Sequence, residues 1–374
     1  YGVSPCRCRP GNGICNGVLP HCVMARAVDA VVMEYTLFIV VAVVRGDLDM
    51  NRILKVLSVI LGLSLVTSAQ AIQVPGPLVQ TDWLARHRAD VVILDVRSAT
   101  RSFTAEQVFR KDRKTGKRIR VSVNGHIPGA VLVNYKKIRV NRKIDGKEVT
   151  RLIPARADFE KLMQQSGVNR DSAIVIVSRG LNNSDLTMST RLYWQLKYYG
   201  HDNMGILDGG VAKWLEDGMQ VVTAAGKTVA GNWQAGEGRK EILATTADVA
   251  AAVEKGSSQL VDTRPISLYL GTSKKSYVYA KGHIPGAKLF PNELMNSSGK
   301  SARFLPREEL GQVIEVMDID KDAATITYCN SGHLASGSWF IMSELLGNRN
   351  VRLYDGSMHE WTLMDKPVNA MQME

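Results

Sequence analysis

One cysteine stands where a nucleophile would be useful. Cys329 follows the apolar, strand-like run 324–328 and opens the loop Cys329-Asn330-Ser331-Gly332-His333-Leu334; Leu334, Phe340, Ile341, Leu345 and Leu346 then fall at helical spacing. The expectation is strand, tight loop, helix. A thiol at such a turn lies over unpartnered backbone N–H groups at a helix start, where an anion is favoured. A free cysteine has a pKa of about 8.5, and helix starts of this kind can lower a thiol enough to populate thiolate at neutral pH. The loop therefore reads as a nucleophile with its own anion cradle. Cys329 attacks, and Asn330, Ser331, Gly332, His333 and Leu334 are the candidate residues around the substrate. The competing reading is a buried, inert cysteine. Against it stand Gly332, which permits tight curvature, and a position at the carboxyl end of a strand, where open α/β sheets place ligands.

The elements that must position this loop are legible as a repeat. Val92-Ile93-Leu94-Asp95-Val96-Arg97 answers Gln259-Leu260-Val261-Asp262-Thr263-Arg264, and Gly125-His126-Ile127-Pro128-Gly129-Ala130 returns letter for letter at 282–287. The run 173–177 precedes Ser178 as 324–328 precedes Cys329. Finally, Leu207-Asp208-Gly209-Gly210 with Trp214 matches Tyr354-Asp355-Gly356-Ser357 with Trp361. Landmarks repeated in one order are the signature of a duplicated unit. Within each unit, short β-branched runs ending in Asp, Gly or Pro alternate with helical stretches at 158–165, 190–199, 246–254 and 307–316. That alternation argues for parallel βαβ construction with helices on both faces of a mainly parallel sheet. The expected fold class is α/β, as two tandem α/β/α domains at 72–222 and 240–374 joined by a Gly-, Ala-, Thr- and Lys-rich linker at 223–239. The paired Gly-His-Ile-Pro-Gly-Ala segments read as turns, with Gly supplying positive φ and Pro fixing its own, rather than as the setting of a catalytic His283.

The 374 residues, 45% apolar and 22% charged, exclude a disordered tail and a disulfide-knit miniprotein. A net charge of +11 favours anionic partners. Cys6, Cys8, Cys15 and Cys22 crowd one end of the chain, which fits neither a disulfide framework nor the paired knuckles of a zinc site. No metal or organic cofactor is expected. From Met50, the basic Arg52 and Lys55, the apolar stretch 56–66 and Ala69-Gln70-Ala71 follow the plan of a cleavable signal peptide at 50–71. Its apolar stretch is too short to span a bilayer comfortably. Residues 1–49 differ in composition from all that follows and read as a spurious or unstructured extension. The expected mature protein starts near Ile72, is periplasmic, keeps no stable membrane association once the signal is removed, and carries Cys329 as its one thiol. Basic clusters at 110–120 and 136–147 interleave with Gly, Thr and Asp and few aromatics. They read as solvated insertion loops rather than a nucleic-acid surface.

In the second half, Asp262-x-Arg264 followed by Tyr269-Leu270-Gly271, the turn Gly282-His283-Ile284-Pro285-Gly286, the loop Cys329-x-x-Gly332, and Tyr354-Asp355-Gly356-Ser357 with Glu360-Trp361 occur in one order. Together they resemble the tandem-domain rhodanese family, the thiosulfate and 3-mercaptopyruvate sulfurtransferases, over residues 80–365. The resemblance implies a catalytic second domain and a first domain retained as scaffold. Ser178 stands there in the place of the cysteine, and a hydroxyl cannot carry sulfane sulfur. It also implies a Cys329 persulfide that takes sulfur from a small anionic donor, thiosulfate or a relative, and passes it to cyanide or a thiol without a cofactor. Arg264 is the candidate cation for the donor's sulfonate or carboxylate. Asn330 and Ser331 are neutral where thiosulfate-tuned loops often carry Lys or Arg, which leaves His333 as the loop residue that could turn positive. Ser331-Gly332 partly echoes the loop of mercaptopyruvate enzymes, yet Leu268 and Leu270 stand where some of those carry arginines. A 3-mercaptopyruvate sulfurtransferase and a non-catalytic sulfur-carrier or binding protein are the alternatives. A phosphatase of the related cysteine-loop type needs an arginine where Ala335 stands.

Overall fold

Runs of Val, Ile and Leu make the central strands, because a parallel sheet covered on both faces needs apolar side chains on both. The computed structural model describes residues 72–371 apart from Ser298, so the expected extension and signal peptide lie outside the described residues. The first half runs β1 (Leu78–Val79), α1 (Thr81–His87), β2 (Val92–Arg97), the hairpin β3 (Phe109–Lys111) and β4 (Arg118–Arg120), β5 (Val131–Asn134), the hairpin β6 (Val140–Ile144) and β7 (Lys147–Leu152), α2 (Arg156–Gln165), β8 (Ile174–Val177), α3 (Asn183–Tyr198), β9 (Met204–Leu207) and α4 (Gly210–Glu216). The second half runs β10 (Leu243–Ala244), α5 (Thr246–Lys255), β11 (Gln259–Asp262), α6 (Ile266–Tyr269), β12 (Lys288–Leu289), α7 (Arg307–Val316), β13 (Thr325–Tyr328), α8 (Ala335–Phe340) with a π-helical turn at Ile341–Leu345, β14 (Val351–Tyr354) and α9 (Ser357–Leu363).

The two five-stranded sheets share one plan, β1-β9-β8-β2-β5 and β10-β14-β13-β11-β12, with every pairing parallel. This is the α/β architecture expected from the alternation of strands and helices. In each sheet the chain enters at one edge, crosses to β2 or β11, runs to the far edge at β5 or β12, and then returns through β8 and β9 or β13 and β14. The crevice between β2 and β8, and between β11 and β13, is therefore the switch point at which such sheets bind ligands.

Alternate residues of the strands face different cores. Ile174 and Ile176 pack with Leu192, Trp194 and Leu196 of α3, whereas Val175 and Val177 pack with Leu84 of α1 and Trp214 of α4. In the second sheet Ile326 and Tyr328 face Val249 of α5 and Trp361 of α9. The core containing α3 continues without a break into Trp339, Phe340 and Met342 of the second half. The halves thus share a hydrophobic interior, with α3 against α8, which places first-half side chains beside the cysteine loop.

Two segments differ from their sequence reading. The linker is a strap anchored on the first half: Gly231 N–H donates to Gln164 O at 2.8 Å, Trp233 N–H donates to Val168 O at 3.1 Å, and Trp233 is buried. The 136–147 cluster is solvated at Lys136, Lys137, Arg142 and Lys143, but Arg139 and Lys147 are partly buried. It leads through the β6–β7 hairpin, where Lys147 Nζ donates to Leu363 O of the second half at 2.6 Å. The 110–120 cluster does form an exposed hairpin.

Candidate active site

Cys329 ends β13, and its side chain is buried. The loop beyond it is shaped by one hydroxyl. Ser357, at the start of α9, accepts from Cys329 N–H at 3.1 Å and from Gly332 N–H at 3.0 Å, and donates to Tyr354 O at 2.8 Å. On the other edge, Met358 N–H donates to Cys329 O at 3.1 Å and His359 N–H to Asn330 O at 3.0 Å. What remains is a run of peptide donors. Among the described residues, no protein acceptor takes the N–H groups of Asn330, Ser331, His333 or Leu334. Successive free N–H groups in a tight loop make an anion-binding concavity. The α8 segment beyond them is short, so the cradle is these individual donors more than a long helix dipole.

The thiol lies at a cavity of about 330 Å³ lined by Cys329, Asn330, Ser331, His333 and Leu334 from the loop, Arg139 and Arg151 from the first half, and Lys275 and Tyr277 from the second. Three cations meet there, and no carboxylate lines the cavity. Two are held over aromatic faces: the Arg139 guanidinium is 4.2 Å from the Tyr135 ring centroid and that of Arg151 is 3.8 Å from the Tyr277 centroid. Burial lowers the Arg139 pKa, and Arg191 and Arg151 push the same way. An anion in the cavity would relieve that repulsion. A larger groove, about 1,070 Å³, lies on the first half beside Arg179 and Leu181, but no thiol lines it.

His333 does not supply a fourth charge. Burial, then the field of Arg139, with Arg191 and Arg151 adding to it, pushes its pKa down to about 3, so it is neutral at neutral pH. Thr187 Oγ1 donates to Asn183 O at 2.7 Å, so it accepts from His333 Nε2, 2.9 Å away; that fixes the proton on Nε2. The Tyr135 ring packs against His333 at 4.9 Å between centroids, and burial pushes the Tyr135 phenol up to about 12.

Of the residues expected from sequence, the structure brings Cys329, Asn330, Ser331, His333 and Leu334 to the cavity, and places Gly332 behind the loop. Arg264 it does not bring there. Its Nε donates to Asp262 Oδ1 at 2.9 Å, its Nη2 to Asp262 Oδ2 at 2.6 Å and to Gly282 O at 2.7 Å. Burial works against this guanidinium, but the Asp262 carboxylate holds its pKa above the ordinary range. The reading of Arg264 as the donor-holding cation is therefore corrected: it braces the turn between Asp262 and Gly282. Arg97 makes the same brace in the first half, its Nε donating to Asp95 Oδ1 at 2.7 Å and its Nη2 to Gly125 O at 3.3 Å. His283 is likewise tied up, its Nδ1 donating to Tyr269 O at 2.8 Å, as the turn reading expects.

Sequence reasoning missed Arg139, Arg151, Lys275 and Ser357. Arg139 sat inside a cluster read as solvent-facing. Arg151 and Lys275 belong to no motif. The signal for Ser357 was its alignment with Gly210, a hydroxyl added at a matched position.

The family model for the rhodanese-like domain matches residues 80–217 and 245–364. A Saccharopolyspora erythraea protein provisionally named a thiosulfate sulfurtransferase is 33% identical over 66% of this chain and 86% of its own. The sulfur carrier protein TtuD of Thermus thermophilus is 30% identical over 79% of this chain and 96% of its own. Among solved structures, the 3-mercaptopyruvate sulfotransferase SseA of Escherichia coli superposes with a TM-score of 0.61 at 25% identity, covering 75% of this chain and 98% of that one.

Proposed function

The chain belongs to the rhodanese family and is a sulfurtransferase; from that premise we propose that it moves sulfane sulfur from thiosulfate through a persulfide on Cys329. The observation that carries this reading is the meeting of a buried thiol, a run of free peptide donors and three cations in one cavity. In the first step the Cys329 thiolate attacks the outer sulfur of thiosulfate. The donor's S–S bond breaks, sulfite leaves with the electron pair, and a Cys329 persulfide anion remains. In the second, cyanide or an acceptor thiolate attacks the terminal sulfur, the persulfide bond breaks, and the Cys329 thiolate returns. Both enzyme forms are anionic, so loop N–H groups fixed beforehand stabilise them without reorganising. Arg139, Arg151 and Lys275 hold the donor. Three cations suit a dianion better than a single carboxylate, which favours thiosulfate.

A second reading, 3-mercaptopyruvate as donor, draws on the likeness to SseA and on the neutral Asn330 and Ser331. A periplasmic location, reached by cleavage after Ala71, belongs to the same proposal and draws on the signal-like pattern from Met50. One experiment addresses all of these: intact-mass measurement of the exported protein after thiosulfate or 3-mercaptopyruvate, with sulfite and pyruvate assayed. A chain beginning near Ile72 that gains one sulfur more readily from thiosulfate is expected. Gain from mercaptopyruvate alone selects the second donor, and a retained Met50 removes the export reading.

A further inference from the structure

The first half sends one more side chain to the cysteine loop, and it is not among those lining the cavity. Arg191, on α3, is fully buried. Its Nη1 donates to the Gly332 carbonyl at 3.1 Å and lies 2.6 Å from Asp355 Oδ1, while Nε and Nη2 have no partner among the described residues. The other Asp355 oxygen accepts from Ile153 N–H at 2.7 Å, so the carboxylate too is held by the first half. Stability alone is a poor reason for this arrangement. A buried charge with unsatisfied donors is often less stable than an apolar side chain of the same volume.

The bond to Gly332 has a directional consequence. Gly332 N–H is fixed by the Ser357 hydroxyl of its own half and its C=O by Arg191 of the other. In a trans peptide the C=O and the following N–H point in opposite directions. Holding the Gly332 oxygen on Arg191 therefore turns the His333 N–H, one of the free donors, away from Arg191. It also keeps a carbonyl's negative end from swinging into a cradle meant for anions. Gly332 makes the approach possible. Its φ is +69°, and a Cβ there would lie 2.5 Å from Arg191 Nη1 and 2.6 Å from Asp355 Oδ1.

We propose that Arg191, supplied by the half without a thiol, is a positioning residue for sulfur transfer: by holding the Gly332 carbonyl it keeps the loop's peptide donors turned toward the Cys329 sulfur. The proposal rests on the sulfurtransferase reading above. The test compares Arg191→Met and Arg191→Lys with the wild type in single-turnover persulfide formation, donor KM, kcat and thermal midpoint. For Arg191→Met, kcat should fall about 100-fold, the scale of a reacting group misplaced by about 1 Å. Donor KM should change little, because the cavity cations are untouched. Arg191→Lys, still able to donate to the Gly332 oxygen, should recover most of kcat. Should Arg191→Met fail to fold, Arg191→Gln is measured in its place with the same expectation. A folded neutral variant with full kcat would overturn the proposal, as would a loss appearing mainly in donor KM, which would make Arg191 a direct donor contact. A wild type that takes sulfur from neither donor would instead remove the reading on which the proposal rests.

Discussion

The loops after β8 and β13 hang from the same pair of bonds. Val211 N–H donates to Ser178 O and Ala212 N–H to Arg179 O, both at 2.9 Å, just as Met358 and His359 donate to Cys329 O and Asn330 O. They differ at the residue that faces them from the following helix. Gly210 and Ser357 both take left-handed backbone, φ +57° and +54°, but a Cβ on Gly210 would lie 2.3 Å from Ser178 O. The first loop is shut down onto bare backbone; the second is held open around a hydroxyl. Each loop is also visited by the opposite half. Ala302 N–H donates to Gly180 O at 2.8 Å, and Asp208 accepts from Phe304 N–H and Arg303 Nε, each at 3.0 Å. That visit brings one arginine, already paired with Asp208, and ties down the Gly180 carbonyl. The visit to the second brings Arg139, Arg151 and Arg191. One duplicated unit thus carries the thiol, and the other supplies part of the wall of the cavity at that thiol.

The largest test of this contrast exchanges the nucleophiles. Cys329→Ser should abolish thiocyanate formation while thermal melting stays near wild type, since an oxygen cannot carry the sulfur. Adding Ser178→Cys to that variant should restore nothing, because the first loop closes on the bare Gly210 backbone, where the second has the Ser357 hydroxyl, and the cavity cations lie at the second loop. Turnover by the double variant would break the comparison.

Next in size is the separation of binding cations from bracing ones. Arg139→Leu or Arg151→Leu should raise donor KM and lower kcat/KM by about 10- to 150-fold, the equivalent of a charge-assisted hydrogen bond of about 1.5–3 kcal/mol. Arg264→Leu and Arg97→Leu should instead strand a buried carboxylate and cost about 3–5 kcal/mol of stability. Donor KM of the surviving folded Arg264→Leu protein should be that of the wild type; a raised value would return Arg264 to the donor site.

The smallest effect concerns pH. With a folded pKa of about 3, His333 stays neutral from pH 5 to 8, so its protonation should leave no inflection in donor KM over that range. Its folded pKa lies below the unfolded value of about 6.5, so the unfolded chain binds the extra proton first. Stability is complete above pH of about 6.5 and is lost as pH falls toward about 3. His333→Gln should flatten that part of the melting-temperature profile, and an unchanged slope would assign it to other groups.

The sequence made local features legible. The alternation of strands and helices, the cysteine loop and the turn roles of the two Gly-His-Ile-Pro-Gly-Ala segments depend on neighbours in the chain. Helices expected at 246–254 and 307–316 are observed at Thr246–Lys255 and Arg307–Val316. Arg139, Arg151 and Arg191 were not legible as site residues, because their roles exist only once α3 packs against α8 and β6–β7 folds over the second half. Arg264 was misread for an instructive reason. An arginine two residues after an aspartate can close on that carboxylate, and Asp95-x-Arg97 keeps the pattern in a half that has no cysteine. A motif present in both halves is evidence for structure before it is evidence for chemistry.

The central claim is that sulfur rides on Cys329 and nowhere else. Its most direct test is peptide-resolved mass spectrometry of the protein after thiosulfate treatment and removal of excess donor, before and after cyanide. The account predicts one added sulfur on the Cys329 peptide of the wild type, its discharge as thiocyanate, and no addition to Cys329→Ser. A folded wild type that gains no sulfur from thiosulfate or mercaptopyruvate, or a Cys329→Ser protein that still carries and discharges one, would contradict it.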